Sequence, residues 1–119
     1  FDTIRKIADE GPCILVGRCA DYALEEYSNV LSVFIHADMD ARIRRIARIY
    51  DLTDAKAKEL IKKTDKRRSS YYNYYSNKKW GAAESYNICL DSSILGIDGT
   101  AEAIEQLVAL RESITDPKL

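Results

Sequence analysis

Glycine is scarce in this 119-residue sequence, and none of its five copies, Gly11, Gly17, Gly81, Gly96 and Gly99, falls within a GxxxxGK(S/T) pattern. No backbone cradle for phosphate is written in the chain, so any phosphate site must be built from side chains. Histidine occurs once, at His36, and the three cysteines, Cys13, Cys19 and Cys89, lack CxxC spacing, which excludes a metal site of the His or Cys kind. Two of these cysteines lie inside apolar runs, and the set reads as reduced, mostly buried thiols of a cytoplasmic protein. No apolar run approaches the roughly 20 residues that span a bilayer. Residues 1–10, with Ile4 and Ile7 on one side, read as an amphipathic helix and not as a signal peptide. No nucleophile-and-base set stands out either, because His36 directly follows an apolar run and reads as a capping or core histidine.

What the chain does have is charge of one sign gathered in one place. The formal net charge is −1, yet window 42–79 holds 13 of the 18 lysines and arginines against four acids, Asp51, Asp54, Glu59 and Asp65. That window is +9 and the remainder is −10. A domain polarised this way points to an anionic ligand held at one position and argues against general adhesion to nucleic acid. The plain alternative is a pair of solvated helices that carry Lys and Arg. Within the window, residues 62–80 run from a cationic segment (Lys62, Lys63, Lys66, Arg67, Arg68) into an aromatic one (Tyr71, Tyr72, Tyr74, Tyr75, Trp80). Three readings of the tyrosines stand side by side: base stacking, packing of the helix against the body, and a homodimer face.

Taken in order, the periodicities give α-β-α-β-α-α-β-α. After the opening helix, Gly11-Pro12 introduces the apolar run 13–16, which reads as a buried strand; a short helix follows over 20–26, and a second buried strand over 30–35. Asp38 is placed to cap a helix running to Tyr50, with Ile43, Ile46 and Ala47 on one face and Arg42 and Arg45 on another. Leu52-Thr53-Asp54 caps a longer helix with a stripe of Ala57, Leu60 and Ile61, expected to end at Gly81. A third strand is read over 86–90, and Thr100 is expected to cap the last helix, with Ile104, Leu107, Val108 and Leu110 inward. Strands alternating with helices predict a parallel sheet whose functional residues gather at the carboxyl ends of the strands: Gly17-Arg18, His36 to Asp38, and Asp91 to Ser93.

Four ordered blocks then carry a resemblance: GPCILVGRCADY at 11–22, DARIRRI at 40–46, DKRRSSYYNYY at 65–75 with KWG at 79–81, and SSILG at 92–96. Together they resemble the cytidylate kinase-like family of nucleoside monophosphate kinases that use a phosphate loop. The similarity covers residues 4–110 and implies an α/β fold: a partial P-loop kinase, three-layer α/β/α with a short parallel sheet and a helical lid. It implies that residues 1–119 are the carboxyl-terminal part of a nucleotide kinase domain, with 53–81 as the lid insertion. The family's first strand, phosphate loop and first helix have no counterpart among these blocks, so the chain by itself is expected to be inactive.

The resemblance also assigns roles. Arg18 matches the arginine that holds the phosphate of the acceptor monophosphate, with Asp21, Arg45 and Arg68 also on the substrate side. Arg42, Lys66 and Arg67 match cations near the transferring phosphates, and Ser92, Ser93, Leu95 and Gly96 match the loop that borders the adenine of ATP. ATP and Mg²⁺ are the implied cofactors, the metal held through the phosphate-loop segment, and a nucleoside monophosphate such as CMP or dCMP is the implied acceptor. The chain departs from cytidylate kinases at three places. Cys19 stands where they carry Asp after Gly-Arg, and Arg68 and Tyr71 stand where their lid has an Asp and a later Arg. The alternative to an enzyme is a non-catalytic module that binds nucleic acid or nucleotide through the basic-tyrosine stretch.

Overall fold

The computed structural model describes residues 1–17 and 19–114. Its elements are α1 (Asp2–Glu10), α2 (Ala20–Ala23), β1 (Val33–His36), α3 (Met39–Tyr50), α4 (Asp54–Ser76), a 3₁₀ turn (Ala83–Ser85), β2 (Ile88–Asp91) and α5 (Ser92–Ile114). The fold is α/β and mostly helical, and β1 and β2 pair in parallel with Val33 opposite Ile88 and His36 opposite Asp91. Among the described residues no helix is long and apolar enough to cross a membrane.

The starts of α3 and α4 follow from side chains that each accept an orphan amide. Asp38 accepts from the amide of Ala41 at 2.8 Å, opening α3, and Thr53 accepts from Lys56 at 3.2 Å, opening α4. The helices end where the chain turns left-handed, at Asp51 after α3 and at Asn77 after α4. α4 thus stops short of the expected Gly81: Ser76 turns its hydroxyl back to the Tyr72 carbonyl and accepts from the Lys78 amide, which leaves Asn77 to reverse the chain.

The sheet begins three residues later than the apolar pattern indicates. Ser32 and Asn87 clasp each other ahead of it, the Ser32 amide donating to Asn87 Oδ1 and the Asn87 amide to Ser32 Oγ, both at 2.9 Å. Segment 13–16 is not a buried strand. It has no sheet neighbour among the described residues, and Ile14 and Val16 are 92% and 90% exposed. An apolar run becomes a strand only when a neighbour takes up its amides and carbonyls, so apolarity alone did not decide the matter. Cys13, in the same run, is exposed, while Cys19 is buried.

The last helix also departs from expectation. Thr100 does not cap it; helix geometry begins at Ser92, breaks at Gly96 (φ 73°, ψ 179°) and resumes, with Thr100 buried and its hydroxyl donating to the Gly96 carbonyl at 2.6 Å. The cap is Asp91, which accepts from the Ser93 amide at 2.9 Å and from the Ser93 hydroxyl. The buried apolar side chains, Cys19, Ala23, Leu24, Ala57, Ile61 and Tyr72, come from the α2 turn and one face of α4. That is where the packing that positions the site is found.

Candidate functional site

β1 delivers its carboxyl end to His36, and Asp38 then launches α3 from the same edge of the sheet, which sets Arg42 on the first turn past the cap. Arg42 does not stand alone. Its Nη2 donates to both carboxylate oxygens of Asp65, at 2.7 and 2.8 Å, and both side chains are partly buried. This ion pair ties α3 to the middle of α4. Its sheltered position leaves it less screened by water and salt than a surface pair.

Immediately after Asp65 come Lys66, Arg67 and Arg68, all exposed and, like Arg45, without an ion-pair partner among the described residues. A fixed cation on α3 is therefore tied to the point of α4 from which the free cations follow. The arrangement can gather negative charge that spreads over several oxygens, the demand that a migrating phosphoryl group makes.

Asp21 is engaged as well. Its Oδ2 accepts the Tyr72 hydroxyl at 2.7 Å and its Oδ1 accepts the Tyr22 amide at 2.9 Å. Burial, and then this hydrogen bond, push the Tyr72 phenol far above its ordinary value of 10.0. Tyr72 stacks on Tyr86 (ring centroids 5.8 Å apart), and Tyr86 stacks on Phe34 of β1 at 4.9 Å. Trp80 closes the group edge-on to Phe34 at 5.2 Å. The tyrosine run thus divides by helical phase: Tyr72 turns inward, whereas Tyr71, Tyr74 and Tyr75 stay exposed and lean on one another at 4.7 to 4.9 Å. Cys19, buried beside Asp21, has its thiol pushed up by that burial and then by the carboxylate, the reverse of what a reactive cysteine needs.

At the carboxyl end of β2, Ser92 donates to the His36 carbonyl at 3.3 Å, and Ser93 holds the Asp91 carboxyl below its usual range. Leu95 and Gly96 are exposed beyond it. Among the described residues no hydrogen bond or ion pair joins Ser92, Ser93, Leu95 or Gly96 to Arg42, Lys66, Arg67 or Arg68. No group of three His, Cys, Asp or Glu among the described residues could hold a metal ion. Arg18 lies outside the described residues.

Sequence reasoning missed the role of Asp65, and it left open which tyrosine packs inward, which is Tyr72. A signal existed for both. Asp65 is the sole acid in window 62–79, and it falls four residues after Ile61 and seven before Tyr72, on the inward face of α4.

Parallel strands feeding helices at one edge, with arginines at that edge and a cationic helix beside it, define an α/β protein with a positively charged face. The sequence pattern of the cytidylate kinase-like family matches residues 1–94, and the chain belongs to that family. Among solved structures, it is similar to the crystal structure of an uncharacterized protein from Eubacterium ventriosum ATCC 27560, at 30% identity and a TM-score of 0.83. That match covers 91% of this chain and 62% of the other, so the chain spans less than two thirds of the solved relative. None of the curated proteins matches.

Proposed function

We propose that this chain is the acceptor-phosphate and lid part of a nucleotide kinase that moves the γ-phosphoryl group of ATP to a nucleoside monophosphate. The observation that carries the reading is the Arg42–Asp65 pair: it fixes one arginine at the carboxyl edge of the sheet and holds the helix bearing Lys66, Arg67 and Arg68 beside it. In the transfer, an oxygen of the acceptor phosphate bonds to the γ-phosphorus as the bond to the departing ADP oxygen breaks. Negative charge shifts onto the bridging and leaving oxygens. Arg42, Lys66 and Arg67 follow that shift, Arg18, Arg45 and Arg68 hold the acceptor, and Ser92 to Gly96 border the adenine. Mg²⁺ bound with ATP would supply charge neutralisation, and no group of three His, Cys, Asp or Glu among the described residues would hold it. Segment 53–81 acts as the lid, and the cytoplasm, where nucleotides and reduced thiols coexist, is the compartment this chemistry fits.

A coupled assay of ADP release by the complete protein, against a panel of monophosphates that includes CMP and dCMP, tests the proposal. Turnover above background ATPase with at least one acceptor is expected, and none with any acceptor overturns it. A second reading rests on Tyr74, whose ring is 78% exposed on the cation-bearing helix: a surface for stacking single-stranded nucleic acid. That reading requires oligonucleotide binding with a steep salt slope, lost in Tyr74→Ala.

A further inference from the structure

We propose that Asp21 and Tyr72 are a positioning pair, which couples the cationic helix to the turn after Gly17, and that Asp21 is not itself a ligand of the acceptor. Both oxygens of Asp21 are already engaged, one by the Tyr72 hydroxyl at 2.7 Å and one by the Tyr22 amide at 2.9 Å. An incoming nucleotide would have to displace a phenol whose ring is only 6% exposed. That ring is held from behind as well: Tyr86 stacks on it at a 20° interplanar angle, rests on Phe34, and accepts the Gly81 amide on its own hydroxyl at 3.2 Å. A continuous line of contacts therefore runs from β1 through α4 to α2.

The line is stiff at its far end. Cys19, two residues before Asp21, is buried in the left-handed region at φ 56°, a conformation that a non-glycine residue keeps only when its surroundings enforce it. Tyr72 lies four residues beyond Arg68 and seven beyond Asp65, so one helix is pinned twice on its inward face, to α3 by Asp65 and to α2 by Tyr72. The free cations Lys66, Arg67 and Arg68 lie between the two pins. A shift of α4 toward a ligand must be transmitted to Asp21 and through it to the turn, which is the coupling a two-substrate site requires.

The acceptor readout below rests on the kinase reading, and the exchange readout does not. In the complete protein, Tyr72→Phe removes the hydroxyl and keeps the ring, and Asp21→Asn keeps an acceptor oxygen. Amide exchange at Ala23 and Leu24, whose N–H groups donate to Cys19 and Ala20 carbonyls at 2.9 and 3.0 Å, is expected to accelerate severalfold in Tyr72→Phe. The double variant should add nothing. The acceptor KM should rise roughly tenfold in Tyr72→Phe with kcat within about twofold, the loss of one hydrogen bond to a charged group. Asp21→Asn should recover part of the KM lost in Asp21→Ala. Unchanged exchange at Ala23 and Leu24 in Tyr72→Phe overturns the proposal whether or not any nucleotide turns over. So does a KM that rises equally in Asp21→Asn and Asp21→Ala but stays at the wild-type value in Tyr72→Phe, the pattern of a direct ligand. Absence of turnover in the wild type counts against the kinase reading alone and leaves exchange to decide the pair.

Discussion

Asp65 shows how one side chain can organise several others. Its carboxylate holds Arg42 through a single nitrogen, so Nε and Nη1 of the guanidinium keep no hydrogen-bond partner among the described residues. Removing it in Asp65→Ala leaves a half-buried arginine unpaired, and chemical denaturation should report a loss of about 1 to 3 kcal/mol. Arg67, by contrast, is exposed and unpaired among the described residues, so Arg67→Ala should leave stability unchanged. If it meets charge that develops only in the transition state, kcat should fall roughly 100-fold while the acceptor KM barely moves; equal effects on both would remove it from that role. Tyr72 gives a pH signature. Its phenol binds a proton more tightly folded than unfolded, so its contribution to stability is complete below about pH 10 and is lost as pH climbs through the folded value. The denaturation midpoint should therefore drop above pH 10, and less so in Tyr72→Phe, where the raised Tyr86, Tyr27 and Cys19 remain. The position of Arg42 one turn past a cap was legible, but its partner was not. An acid 23 positions away is found only when the phases of two helices are both known.

Among the elements, α3 and α4 were the most legible because their starts are written in single residues. Asp38 and Thr53 both do what their types and positions indicate, and Thr53→Ala should cost about 1 kcal/mol, measured as a lower thermal midpoint with unchanged helix content elsewhere. A neutral result there would mean that packing of Ala57 and Ile61 alone fixes the start of α4. The tyrosine run was less legible for a reason of phase. Four tyrosines within five residues sweep most of a helical turn, so composition cannot say which one is inside; the structure turns Tyr72 inward to Asp21 and leaves Tyr71, Tyr74 and Tyr75 outside. α5 misled in the opposite way. A cap expected at Thr100 puts Gly96 and Gly99 outside the helix, whereas only Gly96 breaks it, and a Cβ on Gly99 would stand 2.9 Å from that of Leu95. Gly99 is thus a glycine of close packing within a helix, which no turn signal distinguishes from a loop glycine.

For the molecule as a whole, the parallel order of β1 and β2 followed from the alternation of strands and helices, but the run 13–16 did not join them, since a strand is defined by a neighbour and not by its own residues. Charge is the other property that exists only at this scale. A net charge of −1 gives no hint of attraction to anions, yet α3 and α4 carry most of a +9 window on a body of −10. Such a field attracts anions toward one face before any contact forms, and it is screened by salt, whereas the half-buried Arg42–Asp65 pair is screened little. The two contributions therefore separate by ionic strength. Raising salt from about 0.1 to 1 M shortens the screening length from roughly 10 to 3 Å, and the acceptor KM of the complete protein should rise severalfold while the denaturation midpoint holds. Reversing exposed cations that have no ion-pair partner among the described residues, as in Lys62→Glu with Lys63→Glu, should reproduce that rise at low salt and flatten the salt dependence. A KM indifferent to salt would assign binding to short-range contacts alone and leave the polarised surface as a solvated helix face.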